Sequence, residues 1–551
     1  MIKSNTNSMI KNTDFTSRIK RYVSIDFVVL LLVIWVLTCH YRHGNYSSVT
    51  DCLQDIRLRN AVLIFFYYSI SRLLFHVIKT ESYLITLILL LLVTLREAYA
   101  GILQLSQGAP YPVGTLLNPN IFACLLSITS SIIIVLIFRI KYRLIRVPLY
   151  ICLGLFAVLM VFSKSRLALL SVIVPVICFL SLNPRFSGFI KKHVIIISIV
   201  LIALFALLYF LKKPSADGRL YMAKIATRII SHNGIWGTGP DSFAGAFGNE
   251  QYLYFSDNNE NADINTLVHL DKNDTKYACT PLTAFNEFLR IGVEYGIVAM
   301  LLAIYLIARG MVVLIRKGNP LGYGLLSLFV ISQFSYPHCY SIYCLLLSII
   351  MGAASSLDYP NSKTGLKCGP WITTAVEVLS FGLLLFLELP QIEIKKTLEK
   401  KEGDIAFFFR NEEYSTVCDY CEELGNIELF SLNMLYEYGV SLSMTGRHEK
   451  SDFVLRVGTS RSCNPIFWHE IGHNYVRSKR YDKAEESYIR SFMMVPNRMT
   501  PLLYLAQLYH HIGDDEKLRR TASYSDTFKP KVPSYTTKEY HDQIMQMAYE
   551  E

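Results

Sequence analysis

The residues best suited to chemistry are basic ones gathered beside apolar runs. Lys212, Lys213, Arg219, Lys224 and Arg228 open a polar segment, and Arg166 closes the run Phe162-Ser-Lys-Ser-Arg166. A guanidinium offers a planar fork of donors that matches phosphate oxygens, and an arginine at a membrane border is costly unless it is paired or functional. Arg166 and Arg219 together therefore point to a diphosphate-bearing ligand. The competing readings are a snorkelling interface anchor for Arg166 and an ion pair with Asp217 for Arg219. Gly237-Thr238-Gly239 suits a tight turn in the same segment, although two glycines are weak evidence for phosphate cradling. Asn118-Pro119-Asn120 has the form of a helix N-cap. Glu287 and Glu294, seven residues apart, share a helix face; Glu287 could act as a general base or pair with Arg290. His338 and His269 are the nearest histidines, and a lone histidine is more often a hydrogen-bonded surface group.

The elements that must position these residues are membrane spans. The chain has 551 residues, 52% of them hydrophobic and 18% charged, against about 25% charged in soluble domains. A span needs about 20 apolar residues, and eleven segments qualify: 23–40, 60–78, 81–103, 120–138, 147–163, 166–182, 193–211, 288–315, 320–336, 339–356 and 371–389. The third is interrupted by Arg96 and Glu97, which predicts a wet C-terminal turn. With the N-terminal segment 1–22 in the cytoplasm, seventeen lysines and arginines fall on the cytoplasmic side and five in the short outer loops, the bias that sets orientation. The net charge of +10 follows from this topology and calls for no nucleic acid. Loop 104–119, the Ser165-Arg166 turn, the large loop 212–287, the Ser335-Tyr-Pro-His338 turn and everything after 390 then share the outer side.

The tail 391–551 is richer in charged helices. Trp468-His-Glu-Ile-Gly472-His-Asn-Tyr475, followed by Tyr481-Asp-Lys-Ala484-Glu-Glu-Ser-Tyr488 and Pro496, follows the tetratricopeptide pattern, with weaker repeats on either side over 434–530. Such arrays bind proteins or peptides on a concave face, or serve as a structural cap. Cys418-Asp-Tyr-Cys421 is a CxxC without a second pair, and two packed or paired cysteines are the plainer reading.

Taken in order, Glu97-Ala-Tyr-Ala-Gly101-Ile-Leu-Gln104, Gly114-Thr-Leu-Leu-Asn118-Pro-Asn120, Ser165-Arg166, Ser215-Ala-Asp-Gly-Arg219-Leu, Gly237-Thr-Gly239-Pro-Asp-Ser-Phe243, Phe285-Asn286-Glu287 with Glu294-Tyr-Gly296, and Ser335-Tyr-Pro337 resemble the O-antigen ligase and polymerase superfamily. The resemblance covers roughly residues 95–340. It implies an all-α fold, a polytopic bundle of about eleven or twelve spans with a large extracytoplasmic loop, continued here by a tetratricopeptide-like solenoid. It also implies a glycan taken from undecaprenyl diphosphate at the outer face of the inner membrane and passed to the hydroxyl of a glycan, lipid or protein acceptor. No cofactor or metal is implied. Arg166, Arg219, Glu287 and His338 become the catalytic candidates, and Lys212, Lys213, Asn118, Gly237, Gly239, Asn286 and Glu294 the substrate-binding ones. Many ligases carry His-Asn where this chain has Phe285-Asn286, so another group must act as base or the arginines must suffice. The alternatives are a repeat-unit polymerase of the same superfamily and a non-catalytic membrane scaffold. On this topology, alkaline phosphatase fused after residue 430 is expected to be active; an inactive fusion beside active cytoplasmic reporters would exclude it.

Overall fold

The computed structural model describes residues 24–44, 59–77, 80–256, 272–358 and 397–549. The expected segment 1–22, His269 and the expected span 371–389 lie outside them. Among the described residues the regular elements are all helical. In chain order they are α1 (Ile25–His43), α2 (Arg59–Val77), α3 (Thr80–Ser106), α4 (Pro119–Arg139), α5 (Arg143–Phe162), α6 (Arg166–Leu182), α7 (Pro184–Lys192), α8 (Val194–Phe210), α9 (Lys213–Asn233), α10 (Phe243–Phe255), α11 (Glu287–Arg316), α12 (Leu321–Phe334) and α13 (Ser341–Asp358).

Helices stand at ten of the eleven expected positions. Six are long and apolar enough to cross a membrane: α1, α3, α4, α5, α11 and α13. The count is seven if α6 and α7, which meet at 104°, form one broken span. The sharp corner follows from Asn183-Pro184, because Asn183 caps α7 by accepting from Arg185 N at 3.0 Å and the proline opens it, a pairing that starts helices rather than continuing them. The α4 helix is the hub. Its apolar window is 83% buried, against 17–33% for α1, α3, α5 and α11, whose outward faces keep their leucines and isoleucines exposed, as a bilayer requires. Between apolar helices, hydroxyls find each other: Ser171 Oγ donates to Ser127 Oγ at 2.7 Å, and Thr94 and Thr129 lie 2.8 Å apart. Polar pairs of this kind act as glue where apolar contact alone gives no preference over lipid.

In the third expected span Arg96 faces outward, its side chain 70% exposed, while Glu97 faces inward. The helix runs on to Ser106, and Glu97 is 1% exposed. That carboxylate is turned inward to accept from Thr115 N and Thr115 Oγ1, both at 2.7 Å, so its charge is solvated by the loop rather than by water. At the opposite end of the bundle a second carboxylate is answered in a similar way. Asp26 of α1 accepts from Arg72 Nε at 2.8 Å and from the hydroxyls of Tyr68 and Ser355.

Beyond residue 397 the chain forms a helix over 397–410 (α14), then α15 (Tyr414–Leu424), α16 (Leu432–Met444), α17 (His448–Arg461), α18 (Ile466–Arg477), α19 (Tyr481–Met494), α20 (Thr500–Ile512), α21 (Asp515–Thr527) and α22 (Tyr535–Tyr549). From α15 to α22 each helix packs on its sequence neighbour. The Gly472 backbone of α18 lies against the Tyr488 ring of α19, and Ala484 and Tyr488 are buried. Cys418 and Cys421 are buried thiols on the inner face of α15, within this core.

These helices do not form a core of their own. One apolar cluster runs from Tyr221, Ile225 and Ile229 of α9 through Phe243 and Phe247 of α10 to Phe492, Leu505 and Ile544. Polar ties follow the same seam. Gln251 donates to Met494 O, Arg490 donates to Asn249 Oδ1 at 2.6 Å, and Asn497 Nδ2 reaches Thr275 O at 2.8 Å and Ala278 O at 2.9 Å. The described parts of the 212–287 segment are thus one wall of the C-terminal body.

Within that body burial lowers the His469 pKa to about 3, helped by the charges of His473 and Arg498, and lowers the His473 pKa to about 4. An unfolded histidine titrates near 6.5. The unfolded chain therefore takes up protons that the folded one refuses as pH falls. Stability from these two sites is complete above about pH 6.5 and declines towards pH 4. The unfolding midpoint of the purified protein is expected to fall across that interval, and His469→Gln to flatten the decline; a midpoint independent of pH would contradict the burial of both rings.

Candidate functional site

Three helix N-termini meet at one end of the bundle, and each cap places a residue of interest. Ser165 caps α6 by accepting from Ala168 N at 3.3 Å, which sets Arg166 at the first helical position. Asn118 caps α4, its Oδ1 accepting from Asn120 N at 2.9 Å and Ile121 N at 3.3 Å. Asn286 caps α11 in the same way, through Phe288 N at 3.0 Å and Leu289 N at 3.1 Å. The amide ends of both asparagines reach elsewhere: Asn118 Nδ2 donates to the Tyr336 hydroxyl at 3.2 Å, and Asn286 Nδ2 to Gln333 O at 3.2 Å. Both caps therefore also tie the helix starts to the α12–α13 turn.

Around this junction the chain lines up Asn118, Tyr336, Phe285, Arg219 and Arg166. The Tyr336 and Phe285 rings meet edge to face with centroids 5.1 Å apart, and the Arg219 guanidinium lies over the Phe285 ring at 5.3 Å. The Arg219 pKa is held below its ordinary value, first by burial and second by the charge of Arg166, with Tyr336 acting the other way. Arg166 and Arg219 are thus near enough to repel each other, across 52 intervening residues. Arg166 also stands at a helix N-terminus, the end where a cation is disfavoured and an anion welcome. The ion pair of Arg219 with Asp217 does not form. Asp217 instead accepts from the Tyr209 hydroxyl and from the Tyr277 hydroxyl at 3.0 Å, and among the described residues no carboxylate pairs with Arg219.

Glu287 stands behind this cluster and is 2% exposed. Its Oε1 accepts from His338 N at 2.9 Å, its Oε2 lies 2.9 Å from the Arg290 guanidinium, and His338 Nδ1 is 3.5 Å away. With both oxygens occupied, Glu287 pins the Tyr336-Pro-His338 turn to α11. Glu294 is buried, 3.8 Å from Arg290. His338 is largely covered, its side chain facing Glu287. Lys212 and Lys213 are exposed at the α8–α9 junction. Lys224 and Arg228 are engaged on the far side of α9, with Asp274 and Glu250, each at 2.8 Å.

Gly237 and Gly239 belong to a different device. Inside α11, Gly296 adopts φ 81°, ψ 172° and breaks the helix, leaving the carbonyls of Val293, Glu294 and Tyr295 without their usual donors. Thr238 N donates to Val293 O at 2.8 Å, Gly239 N to Glu294 O at 3.0 Å, and Trp35 Nε1 to Tyr295 O at 2.9 Å. In return Ile297 N donates to Gly234 O at 3.3 Å. Gly237 has φ +72°, and a Cβ there would lie 2.6 Å from Glu294 O. These glycines thus dock the loop onto the broken helix, and the stacked Trp35 and Trp236 rings, 4.7 Å apart, close the joint.

Tyr336 and the Phe285 platform were absent from the sequence-derived candidates. So was the brace made by Glu97 and Gln104, where Gln104 Oε1 accepts from Val113 N and Gly114 N at 2.9 Å. Seven residues apart on an apolar helix, the two share one face, and that spacing was the available signal. The brace shapes the loop that delivers Asn118. Among the described residues no group of three or more histidine, cysteine or acidic side chains could hold a metal ion.

The chain is a multi-pass helical membrane protein. Over residues 122–270 it matches the family described as O-antigen ligase, which supports the superfamily expected from the order of its motifs. No curated protein and no solved structure matches it. The matched stretch holds Arg166, Arg219 and the Gly237 turn, and stops before Phe285, Glu287 and His338.

A Cβ on Gly296 would lie 1.7 Å from Ile235 O, and φ there is one that L-residues avoid. Gly296→Ala is expected to cost about 3 kcal/mol or more and to expose the amides of 237–239 to hydrogen exchange. Gly154→Ala, with nothing near its Cβ, is the matched control. Equal unfolding midpoints for the two variants would show that the break is not structurally required.

Proposed function

We infer that this protein is a glycosyltransferase that moves a glycan from undecaprenyl diphosphate to an acceptor hydroxyl at the periplasmic face of the inner membrane. The observation that carries the reading is the approach of Arg166 to Arg219 in a cluster with Phe285, Tyr336 and Asn118. Two cations that repel each other at a helix N-terminus are relieved by an anion bridging them, and a diphosphate has the charge and the oxygens to do so. Fixed cations act most strongly where negative charge develops. As the acceptor oxygen bonds to the anomeric carbon, the carbon–oxygen bond to the diphosphate breaks. The electron pair departs onto the phosphate oxygens, which the two guanidiniums neutralise. Glu287 is spoken for by Arg290 and the His338 amide, so the acceptor proton passes to water or to the departing diphosphate. Lys212 and Lys213 are exposed beside the site and suit the lipid headgroup region; Asn118 and Asn286 suit positioning of the loops around the glycan.

The acceptor is a lipid A core sugar or a protein. Polymerisation of repeat units is the second reading within the superfamily, and the O-antigen ligase match over 122–270 favours the chemistry common to both. The stacked helices over about 434–530, read as tetratricopeptide-like repeats, are a platform for a protein partner, in the periplasm by the charge bias. The assay is transfer in nanodiscs from an undecaprenyl-diphosphate-linked glycan. Arg166→Ala and Arg219→Ala are each expected to lose activity about 100-fold or more. The Lys variants are expected to be impaired as well, since a point charge loses the bidentate geometry. Phe285→His should keep activity at pH 8 and lose it towards pH 6, where an imidazolium would repel Arg219. Two stably inserted and fully active Arg→Ala variants would remove the diphosphate assignment.

A further inference from the structure

A second basic site lies away from the two arginines. A half-open cleft of about 430 Å³ separates the segment around Cys279 from the α19–α20 turn and the approach to α22. Two cations line it, Arg498 and Lys531, and no acidic residue does. Its remaining polar wall is mostly hydroxyls, among them Thr280, Thr500, Ser534 and Tyr540, with Asn497 beside them. The starts of α20 and α22 both border it; the first has no side-chain cap, and the second is capped by Ser534, which accepts from Thr537 N at 3.2 Å. Both helix ends add positive potential.

The walls are built rather than incidental. Asn497 Nδ2 bridges Thr275 O and Ala278 O, Lys531 Nζ donates to Ala278 O at 3.1 Å, and Gln251 holds both the N–H and the C=O of Cys279 at 3.3 and 3.1 Å. Arg498 is exposed, so its guanidinium is open to a ligand arriving from solution. The volume is that of a small-molecule site. Thr280, on one wall, precedes Phe285 of the two-arginine cluster by only five residues, at most about 18 Å of extended chain.

We propose that this cleft binds an anionic oligosaccharide, with Arg498 and Lys531 meeting a sugar carboxylate and the hydroxyls and the Tyr540 ring meeting the sugar itself. The choice of a glycan over an acidic peptide rests on the hydroxyl-rich wall and on the short path to the transfer site, and in that respect on the transferase reading. The cleft would grip the glycan while its anomeric end is held at the arginines.

The test is binding to the full-length protein in nanodiscs without donor lipid, using trigalacturonate, maltotriose, hexaglutamate and inorganic phosphate as probes. Saturable trigalacturonate binding is expected, at least tenfold tighter than each of the other three. Arg498→Ala combined with Lys531→Ala should weaken it at least tenfold. Hydrogen exchange on the unsubstituted protein should show protection at 495–503 and 531–537, which keeps the result independent of whether the double variant folds. Absent binding, equal affinity for maltotriose, preference for hexaglutamate or phosphate, an unaffected double variant, or protection only elsewhere would overturn the proposal. Because donor lipid is omitted, a failure of transfer leaves this result standing, and a failure of binding here leaves the diphosphate reading standing.

Discussion

The broken helix α11 is the constraint on which the rest of the structure depends. A helix that stops and restarts leaves carbonyls that must be satisfied elsewhere, and in an apolar bundle water cannot supply the donors. Here the donors come from two other parts of the chain, the Thr238-Gly239 backbone and the Trp35 indole. The requirement is mutual, since Gly234 O accepts from Ile297 N beyond the break. The loop is therefore fastened to the bundle by the same hydrogen bonds that make the break tolerable. With the end of α9 fixed in this way, Arg219 near its start is carried over Phe285.

Electrostatics at the site follow from how each charge is answered. Carboxylates at this end are consumed by structure: Glu97 by Thr115, Glu287 by Arg290 and the His338 amide, Asp217 by two tyrosines. Arg219 instead rests on an aromatic face, which attracts a cation through its quadrupole without neutralising it. An arginine answered by a ring stays available to an anion, whereas one locked to a buried carboxylate does not. Arg290, 2.9 Å from Glu287, illustrates the second case a short distance away.

The C-terminal helices change how the large loop should be understood. A polar loop between spans, taken alone, has too little apolar surface to fold. Here α9 and α10 contribute Tyr221, Ile225, Phe243 and Phe247 to a core completed by Phe492 and Leu505. Each part supplies the surface the other buries, so the loop holds one shape over the site and the tail has a fixed seat on the bundle. A partner bound to the tail would consequently bear on a body continuous with the site.

Local composition settled much in advance. Apolar runs marked where helices lie, and Asn118-Pro119 carried a cap that depends only on neighbouring residues. The small residues at 472 and 484 announced close helix pairing. What the sequence could not settle depends on contacts between residues far apart in the chain. Whether Arg219 pairs with Asp217 turned on Tyr277, 60 residues away. What Glu287 Oε1 accepts from turned on the His338 amide, 51 residues away. The glycines at 237 and 239 have the composition of a phosphate turn, yet Thr238 N and Gly239 N donate to α11 carbonyls, because a hydrogen-bond donor serves whichever acceptor the fold brings to it. Residue type limits the chemistry a group can perform; the partner that tertiary structure places beside it decides which part of that chemistry is left to use.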